Sequence, residues 1–412
     1  MIYMLVALLR NGEKVNVAAP YWSTERLLKL KEEHAFFCPA CKEPVKLKIG
    51  KIKIPHFAHL TASCQADSEA ESTYHLNGKK QLYVWLKRQR LAAEVEKFIP
   101  SIAQRADLFV SFQHKRYAIE YQCSNIPPDQ VIKRTNGYKK ERIKPMWILG
   151  WKQMKQVGEH QYRLTPFHCQ FLHSPQNDHP FIINYCSDKK TFIFFSHLIP
   201  FSKQNIFAAS AMISPESFFF RDCLQGKSLA ANGLWKHWLK KISQYRLKPL
   251  FQKTNEERKL QKKVYETVGL SLSQLPVEAF IPLKSGYMVD EAVYIWQCSV
   301  LLFIETLRAD EVFHAEKLVW HLKKIGMKER SCSVKTDLKK PIIEYLTTLS
   351  HLKFLQPIGP YSFRKTSSHF IWSRWKSVNN VLDIIWTRKV CFFLLKNNIS
   401  IVIYCVLKKI SI

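Results

Sequence analysis

Gln104-Arg105-Ala106-Asp107-Leu108-Phe109-Val110 and, after a polar break, Tyr117-Ala118-Ile119-Glu120-Tyr121-Gln122 decide the fold of this chain. The two apolar runs have strand length and flank Gln113-His114-Lys115-Arg116, a pattern that predicts a β-hairpin. Each run carries an acid where an apolar residue is expected. Alternate residues of a strand share a face, so Glu120 and Gln122 point the same way, and a hairpin brings Asp107 alongside them. Carboxylates on half-buried strands cost free energy unless something pairs with them. A divalent cation is one such partner: Mg²⁺ takes one or two carboxylates plus water and phosphate oxygens. There it activates a water and offsets charge on a scissile phosphate. Ion pairs with nearby Lys or Arg are the alternative, because two acids thirteen residues apart form a loose pattern.

The flanking elements narrow the choice. Before the hairpin, Asp67-Ser68-Glu69-Ala70-Glu71 is followed by a helical stretch to about Arg90, with Leu82, Val84, Trp85 and Leu86 as its apolar residues, and Val95 to Pro100 reads as a strand. After it, Pro127-Pro128-Asp129 opens a second helix to about Arg142, and Pro145-Met146-Trp147-Ile148-Leu149-Gly150 is a buried strand. The order is α-β-β-β-α-β. It resembles the core of the restriction-endonuclease-like, or PD-(D/E)XK, nuclease fold, in which an acid on the second strand and an E-x-K on the third build the metal site.

More specifically, the chain resembles the competence protein CoiA family. The matching stretches are Glu71-Ser72-Thr73-Tyr74-His75-Leu76-Asn77-Gly78-Lys79, Gln104 to Asp107, Ala118 to Gln122, Arg134-Thr135-Asn136-Gly137-Tyr138, the strand ending Trp147-Ile148-Leu149-Gly150, and a Cys-x2-Cys near the N-terminus. The motifs lie in the first 160 residues or so. The resemblance implies an α/β nuclease-like core with a small N-terminal zinc-ribbon-like module and a mainly helical C-terminal region. It also implies a role in uptake or recombination of transforming DNA and a cytoplasmic bacterial setting, associated or not with the membrane uptake machinery; the ion expected at the nuclease site is Mg²⁺ or Mn²⁺. In that reading Asp107 and Glu120 hold the metal, Glu71 completes its shell, and His75 touches metal, water or phosphate. Gln122 departs from the wider superfamily, because it stands where the E-x-K lysine usually sits. Glutamine orients a water but brings no charge.

Composition agrees with a polyanionic partner. The 412 residues carry 63 Lys plus Arg against 33 Asp plus Glu, a formal charge of +30, which favours nucleic acid first and an acidic membrane surface second. A Lys-rich codon bias is the competing explanation. Hydrophobic content of 47% is enough for real cores, and the length suggests two or three domains. Met1 to Leu9 is too short for a signal peptide, and Arg10 follows it instead of preceding it. The eleven cysteines show no disulfide framework, which suits a reducing compartment.

Cys38-Pro39-Ala40-Cys41, then His56-Phe57-Ala58-His59, then Cys64 form the second signal. Cys-x2-Cys is the usual first half of a zinc knuckle, and a His and a Cys complete a tetrahedral site. The expected ligands are Cys38, Cys41, His59 and Cys64, with His56 the rival for the third place and the zinc structural. Free cysteines in a small hairpin module are the alternative.

Glu71, His75 and Lys79 fall on one helix face, although Ser68-x-x-Glu71 also reads as a capping box. Arg134 and Tyr138 share a face too. Arg binds phosphate and Tyr stacks on bases, so Lys79, Arg105, Arg134 and Tyr138 are the expected DNA contacts. Packing of Tyr138 on the sheet, and an ion pair of Arg105 beside Asp107, are the alternatives.

Domains are expected at 1–65, 66–158 and 159–365, the last aromatic-rich and then helical. Glu291 to Leu307 is an apolar core helix, too short and too polar at Glu291, Gln297 and Glu305 to span a membrane. Leu338 to Leu349 reads as a helix and Phe354 to Arg364 as a hairpin, a winged-helix-like end. Residues 366–412 lack pattern. They read as a tail helix, a membrane-surface segment or, slightly favoured, translation past the family's usual end. Three functions compete: a metal-dependent nuclease, a non-cleaving DNA-binding scaffold for incoming single-stranded DNA, and an adaptor for other competence or recombination proteins.

Overall fold

The computed structural model describes residues 3–50, 53–59, 64, 71–174, 180–231 and 233–366. The expectations for Ser68 and for nearly all of the tail fall outside these residues. Two compact units emerge: one of residues 1–155, 182–194 and 211–227, the other of the remainder.

The first unit begins with six short strands: β1 (Tyr3–Met4), β2 (Val6–Leu9), β3 (Lys14–Asn16), β4 (Phe36–Phe37), β5 (Pro44–Lys48) and β6 (His56–His59). They form an antiparallel sheet in the order β1-β6-β5-β4-β2-β3. Helix α1 (Thr24–Glu33) lies between β3 and β4. The Ser23 side chain accepts from the Arg26 amide and so satisfies one of the helix's unpaired N-terminal donors.

Next come α2 (Thr73–Arg88), β7 (Ala92–Ile99), β8 (Gln104–Phe112), β9 (Lys115–Gln122), α3 (Pro128–Lys140) and β10 (Ile143–Gly150), so the α-β-β-β-α-β order of elements is present. Gln113 and His114 both take positive φ, +49° and +58°, the backbone of the two-residue turn that tightly joins twisted antiparallel strands. Strands β7, β8 and β9 pair antiparallel, while β9 and β10 are parallel and joined through α3. Ala106 on β8 and Ala118 on β9 are small enough to admit the Tyr138 ring of α3, which packs there with Ile143. Helix α2 starts at Thr73 with Ser72 as its cap, one turn later than the Ser68 capping box suggested. It lies against β9, where an added Cβ at Gly78 would come 2.1 Å from Tyr121 Cε1. The Tyr121 hydroxyl donates to the Tyr185 carbonyl at 3.0 Å, so its ring has little room to retreat. Gly78→Ala is therefore expected to destabilise by about 1–3 kcal/mol, against a helix-propensity gain of about 1 kcal/mol. A thermal melt that rose instead would show that the ring moves.

Strands β11 (Gln156–Gly158) and β12 (Gln161–Arg163) and helix α4 (Pro166–Cys169) belong to the second unit. Strand β13 (Ile182–Cys186) returns to the first and pairs parallel with β10. The strands β14 (Thr191–Pro200) and β15 (Asn205–Ile213) divide between the units, and α5 (Phe220–Gln225) lies in the first. Within the second unit β12 pairs antiparallel with β15 at Gln161 to Arg163.

The rest of the second unit is helical: α6 (Leu234–Arg246), α7 (Asn255–Val268) and α8 (Val293–Glu305), followed by β16 (Val312–His314), α9 (Ala315–Lys324), α10 (Lys339–His351), β17 (Leu355–Gly359) and β18 (Ser362–Lys365). Helix α8 is the expected core helix, buried along nearly its whole length among Trp238, Leu260, Leu322 and Tyr345. The last six elements run α-β-α-α-β-β with strand order β16-β18-β17, the order of a winged helix. The third helix of that series is not open, because Glu344 on α10 accepts from the Lys284 and Ser285 amides at 2.9 Å. Among the described residues no helix is long and apolar enough to cross a membrane.

Candidate functional site

Asp107 on β8 and Glu120 on β9 lie on the neighbouring strands of the hairpin. Asp107 Oδ2 accepts the Tyr121 amide at 2.9 Å and faces His75 Nε2 at 3.3 Å. Strand β7 pairs with β8 on both sides of Glu96 and Asp107, but skips those two residues. Glu96 there takes a left-handed φ of +51°, unusual for a residue within a strand. The twist turns its carboxylate inward, where it accepts the Leu5 amide at 2.8 Å, the Val6 amide at 3.2 Å and Lys79 Nζ at 2.5 Å. Lys79 also donates to Glu71 Oε1 at 2.6 Å and lies 3.7 Å from Asp107 Oδ1. Arg105 Nη2 is 3.8 Å from Glu71 Oε1, and His75 Nδ1 is 3.8 Å from Glu71 Oε2. The residue before the α2 cap, strand β7 and strand β8 thus bring three acids, Glu71, Glu96 and Asp107, to three bases, His75, Lys79 and Arg105.

Glu120 has partners of its own. Its Oε2 accepts Arg134 Nη2 at 2.7 Å, and its Oε1 accepts the Tyr138 hydroxyl. Arg134 also donates to the Arg105 carbonyl at 3.4 Å, and its guanidinium lies 5.5 Å above the Trp147 ring, a cation–π distance. Gln122 Nε2 donates to the Ser124 carbonyl and hydroxyl at 3.1 and 2.9 Å, which ties this amide to the end of β9.

The two acids differ in their protonation. Burial raises the Glu120 carboxyl to about 7, and the nearby Asp107 charge adds to this, while Arg134 and the Tyr138 hydrogen bond pull the other way. Burial also opposes the Asp107 anion, but His75, Lys79 and Arg134 outweigh it and hold that carboxyl well below the usual carboxylate range. Burial lowers His75, yet Asp107 and Glu71 overcome it and leave the imidazole more basic than usual. A pair of carboxyls with opposite shifts in one cleft is a mark of functional sites, and of ion-pair networks too.

Four expected DNA contacts turn inward. Lys79 and Tyr138 are 0% exposed, so neither reaches a phosphate or a base. Lys79 neutralises buried acids, and Tyr138 packs on the sheet and holds Glu120. Arg105 is buried beside Glu71, and most of Arg134 is committed to Glu120. The basic side chains that face solvent from α3 are Lys133, Lys139 and Lys140. The ambiguity lay in direction: spacing groups Arg134 with Tyr138 but does not say which side of the helix meets the sheet. Glu96 was missed outright, because a strand sequence carries no sign of a residue that leaves the ladder.

At the N-terminus Cys38, Cys41, His59 and Cys64 converge, with one ligand atom from each within 4.8 Å of the others. Cys38 Sγ lies 3.9 Å from Cys64 Sγ, and Cys41 Sγ lies 3.4 Å from His59 Nε2. The knuckle is closed by Cys38 amide to Glu43 carbonyl at 2.8 Å and Lys42 amide to Cys38 carbonyl at 3.0 Å. His56 takes no part: its Nδ1 pairs with the Ile54 carbonyl at 2.8 Å and its ring packs on Tyr3. A Cys₃His set suits a structural metal such as zinc.

Three family domains match this chain. The regions described as Competence protein CoiA, N-terminal domain, nuclease-like domain and C-terminal domain match residues 19–67, 71–228 and 234–373. A protein of Bacillus subtilis (strain 168) described as Competence protein CoiA is 35% identical over 342 residues, which cover 80% of this chain and 88% of that protein. No solved structure matches. The matched regions account for most of the sequence and hold both the hairpin acids and the cysteine cluster, so the chain belongs to the competence protein CoiA family.

Proposed function

We propose that the chain is a PD-(D/E)XK-type, metal-dependent nuclease that processes DNA phosphodiesters during uptake or recombination of transforming DNA. One observation carries this reading: two acids, Asp107 and Glu120, stand on neighbouring strands with carboxyls shifted in opposite directions, beside a buried Glu71 oxygen that has no hydrogen bond. That atom is Glu71 Oε2, which is buried with no hydrogen-bond partner among the described residues. A buried carboxylate oxygen without a hydrogen bond costs free energy; the His75 imidazole 3.8 Å away offsets part of that cost, and a cation at the site would remove the rest. Asp107 and Glu120 would hold Mg²⁺ or Mn²⁺, with Glu71 behind them, and the ion when bound would activate water and neutralise phosphate charge. The protein's own groups do the rest. The Tyr121 amide and His75 fix Asp107 Oδ2, Lys79 stands over Oδ1, and Arg134 and Tyr138 orient Glu120. Lys79 brings into the acid cluster the positive charge that Gln122 lacks.

A DNA-handling scaffold is the second reading, and Glu120 favours it. Both its oxygens are engaged, so a metal would have to displace or share Arg134 or Tyr138. The test is incubation of the full chain with labelled single- and double-stranded DNA and Mg²⁺ or Mn²⁺. Shortened strands support the nuclease. Bound but intact DNA under every condition supports the scaffold, with single-stranded DNA and recombination proteins as its partners.

The Cys38, Cys41, His59 and Cys64 cluster is proposed to hold a structural Zn²⁺. Because metal binding of this kind is folding free energy, a strong chelator is expected to abolish hydrogen-exchange protection in β4 to β6 while leaving β8 and β9 protected. Unchanged protection in β4 to β6 would show that the module stands without metal.

A further inference from the structure

We infer that the second unit carries a separate transition-metal site formed by Glu159, His160 and His237. Glu159 and His160 are the two turn residues between β11 and β12, and His237 lies in the first turn of α6. One ligand atom from each lies within 4.8 Å of the other two. Glu159 Oε1 is 3.3 Å from His237 Nε2, and the imidazoles of His160 and His237 stand 5.5 Å apart between ring centres. Metal bonds of about 2.0–2.1 Å to nitrogen and oxygen place tetrahedral ligands roughly 3.3–3.5 Å apart. The Glu159–His237 edge already has that length, and small side-chain rotations close the others.

The backbone supports a built site. His160 has a φ of +57°, a left-handed turn position usually given to glycine or asparagine. The turn is nevertheless firmly placed, because the His160 carbonyl accepts the Ala208 amide at 3.0 Å. A carboxylate near the start of α6 has an ordinary explanation, since helix N-termini attract anions. That explanation does not call for two imidazoles beside the same carboxylate. Two nitrogens and one oxygen select Zn²⁺, Co²⁺ or Ni²⁺ over Mg²⁺. The Glu159 side chain is 71% exposed, which leaves the fourth position to water and the site open to ions from solution. A bound ion would clip the β11–β12 turn to α6.

Cobalt titration of the metal-free full chain separates this site from the cysteine cluster. Thiolate ligands give an intense near-ultraviolet charge-transfer band together with visible bands of their own, whereas a His₂Glu site gives only weak visible bands, so the readout is the difference between the wild type and a variant that keeps the cysteines. The wild type is compared with His160→Asn/His237→Gln, in which asparagine keeps the left-handed turn, after both show the same cooperative thermal unfolding. The wild type is expected to develop a weak visible spectrum without charge transfer on top of whatever the cysteine cluster contributes, and the double variant to lack that increment while keeping the cysteine bands. The proposal is overturned if the wild type shows no such spectrum, or if the double variant keeps it.

Discussion

Lys79→Met is expected to destabilise the first unit by about 3–5 kcal/mol, the usual cost of removing one partner from a buried charge network. Lys79 is fully buried, and its ammonium is held at 2.6 Å from Glu71 and 2.5 Å from Glu96. Burial alone would strip the proton from such an amine, yet Glu71, Glu96 and Asp107 together push its pKa above the ordinary lysine value. Removing the cation takes away the closest counter-charge of Glu71 and Glu96, both nearly excluded from water, and leaves only Arg105 and His75, each 3.8 Å from Glu71, to offset them. Glu96 also anchors the Leu5 and Val6 amides, so β2 loosens with it. Loss of hydrogen-exchange protection in α2, β7 and β2 is the direct measure. The triple variant Lys79→Met/Glu71→Gln/Glu96→Gln is expected to recover much of the loss, because neutral amides need no counter-charge. A single variant within about 1 kcal/mol of wild type would mean that water enters and screens the acids.

The same residues show what a sequence does and does not carry. The α-β-β-β-α-β order was legible because each element has its own period and length, and because helix and hairpin breaks fall at polar residues. The zinc-type knuckle was legible from Cys-x2-Cys. The two candidate histidines are three apart on one strand and so face opposite ways, but only the fold decides that His59 turns toward the cysteines. Asp107 beside Glu120 followed from antiparallel pairing. Glu96 did not, because its left-handed backbone and its bonds to Leu5 and Val6, about 90 residues away, depend on tertiary contact alone. Positive charge was misread for a related reason. A lysine or arginine looks outward in a sequence by default, and Lys79, Arg105 and Arg134 turn inward only because buried acids stabilise them there.

Asp107→Asn and Glu120→Gln are each expected to lower metal-dependent DNA cleavage by at least about a thousandfold, roughly 4 kcal/mol of barrier. The reason is electrostatic. A cation is bound by carboxylate charge, and an amide of the same shape keeps the volume but not the charge. Asp107 is the cleaner test. Asparagine retains an oxygen for the Tyr121 amide, so the hairpin is expected to stand. Glu120→Gln keeps an acceptor for Tyr138 but leaves Arg134 without its carboxylate, which adds a stability cost that must be measured alongside cleavage. DNA affinity should fall in neither variant, because in the proposed nuclease reading the acid faces phosphate and its removal lessens repulsion. Combining the two substitutions should then do little more harm than either alone, since residues that act on one bound ion are not additive. If both variants cleave as the wild type does, the activity lies elsewhere in the preparation or the molecule. If cleavage falls tenfold or less while stability falls sharply, the acids serve the fold and the nuclease reading loses its site. Unchanged binding with cleavage abolished in both is the result that leaves Asp107 and Glu120 with a direct role in breaking the phosphodiester.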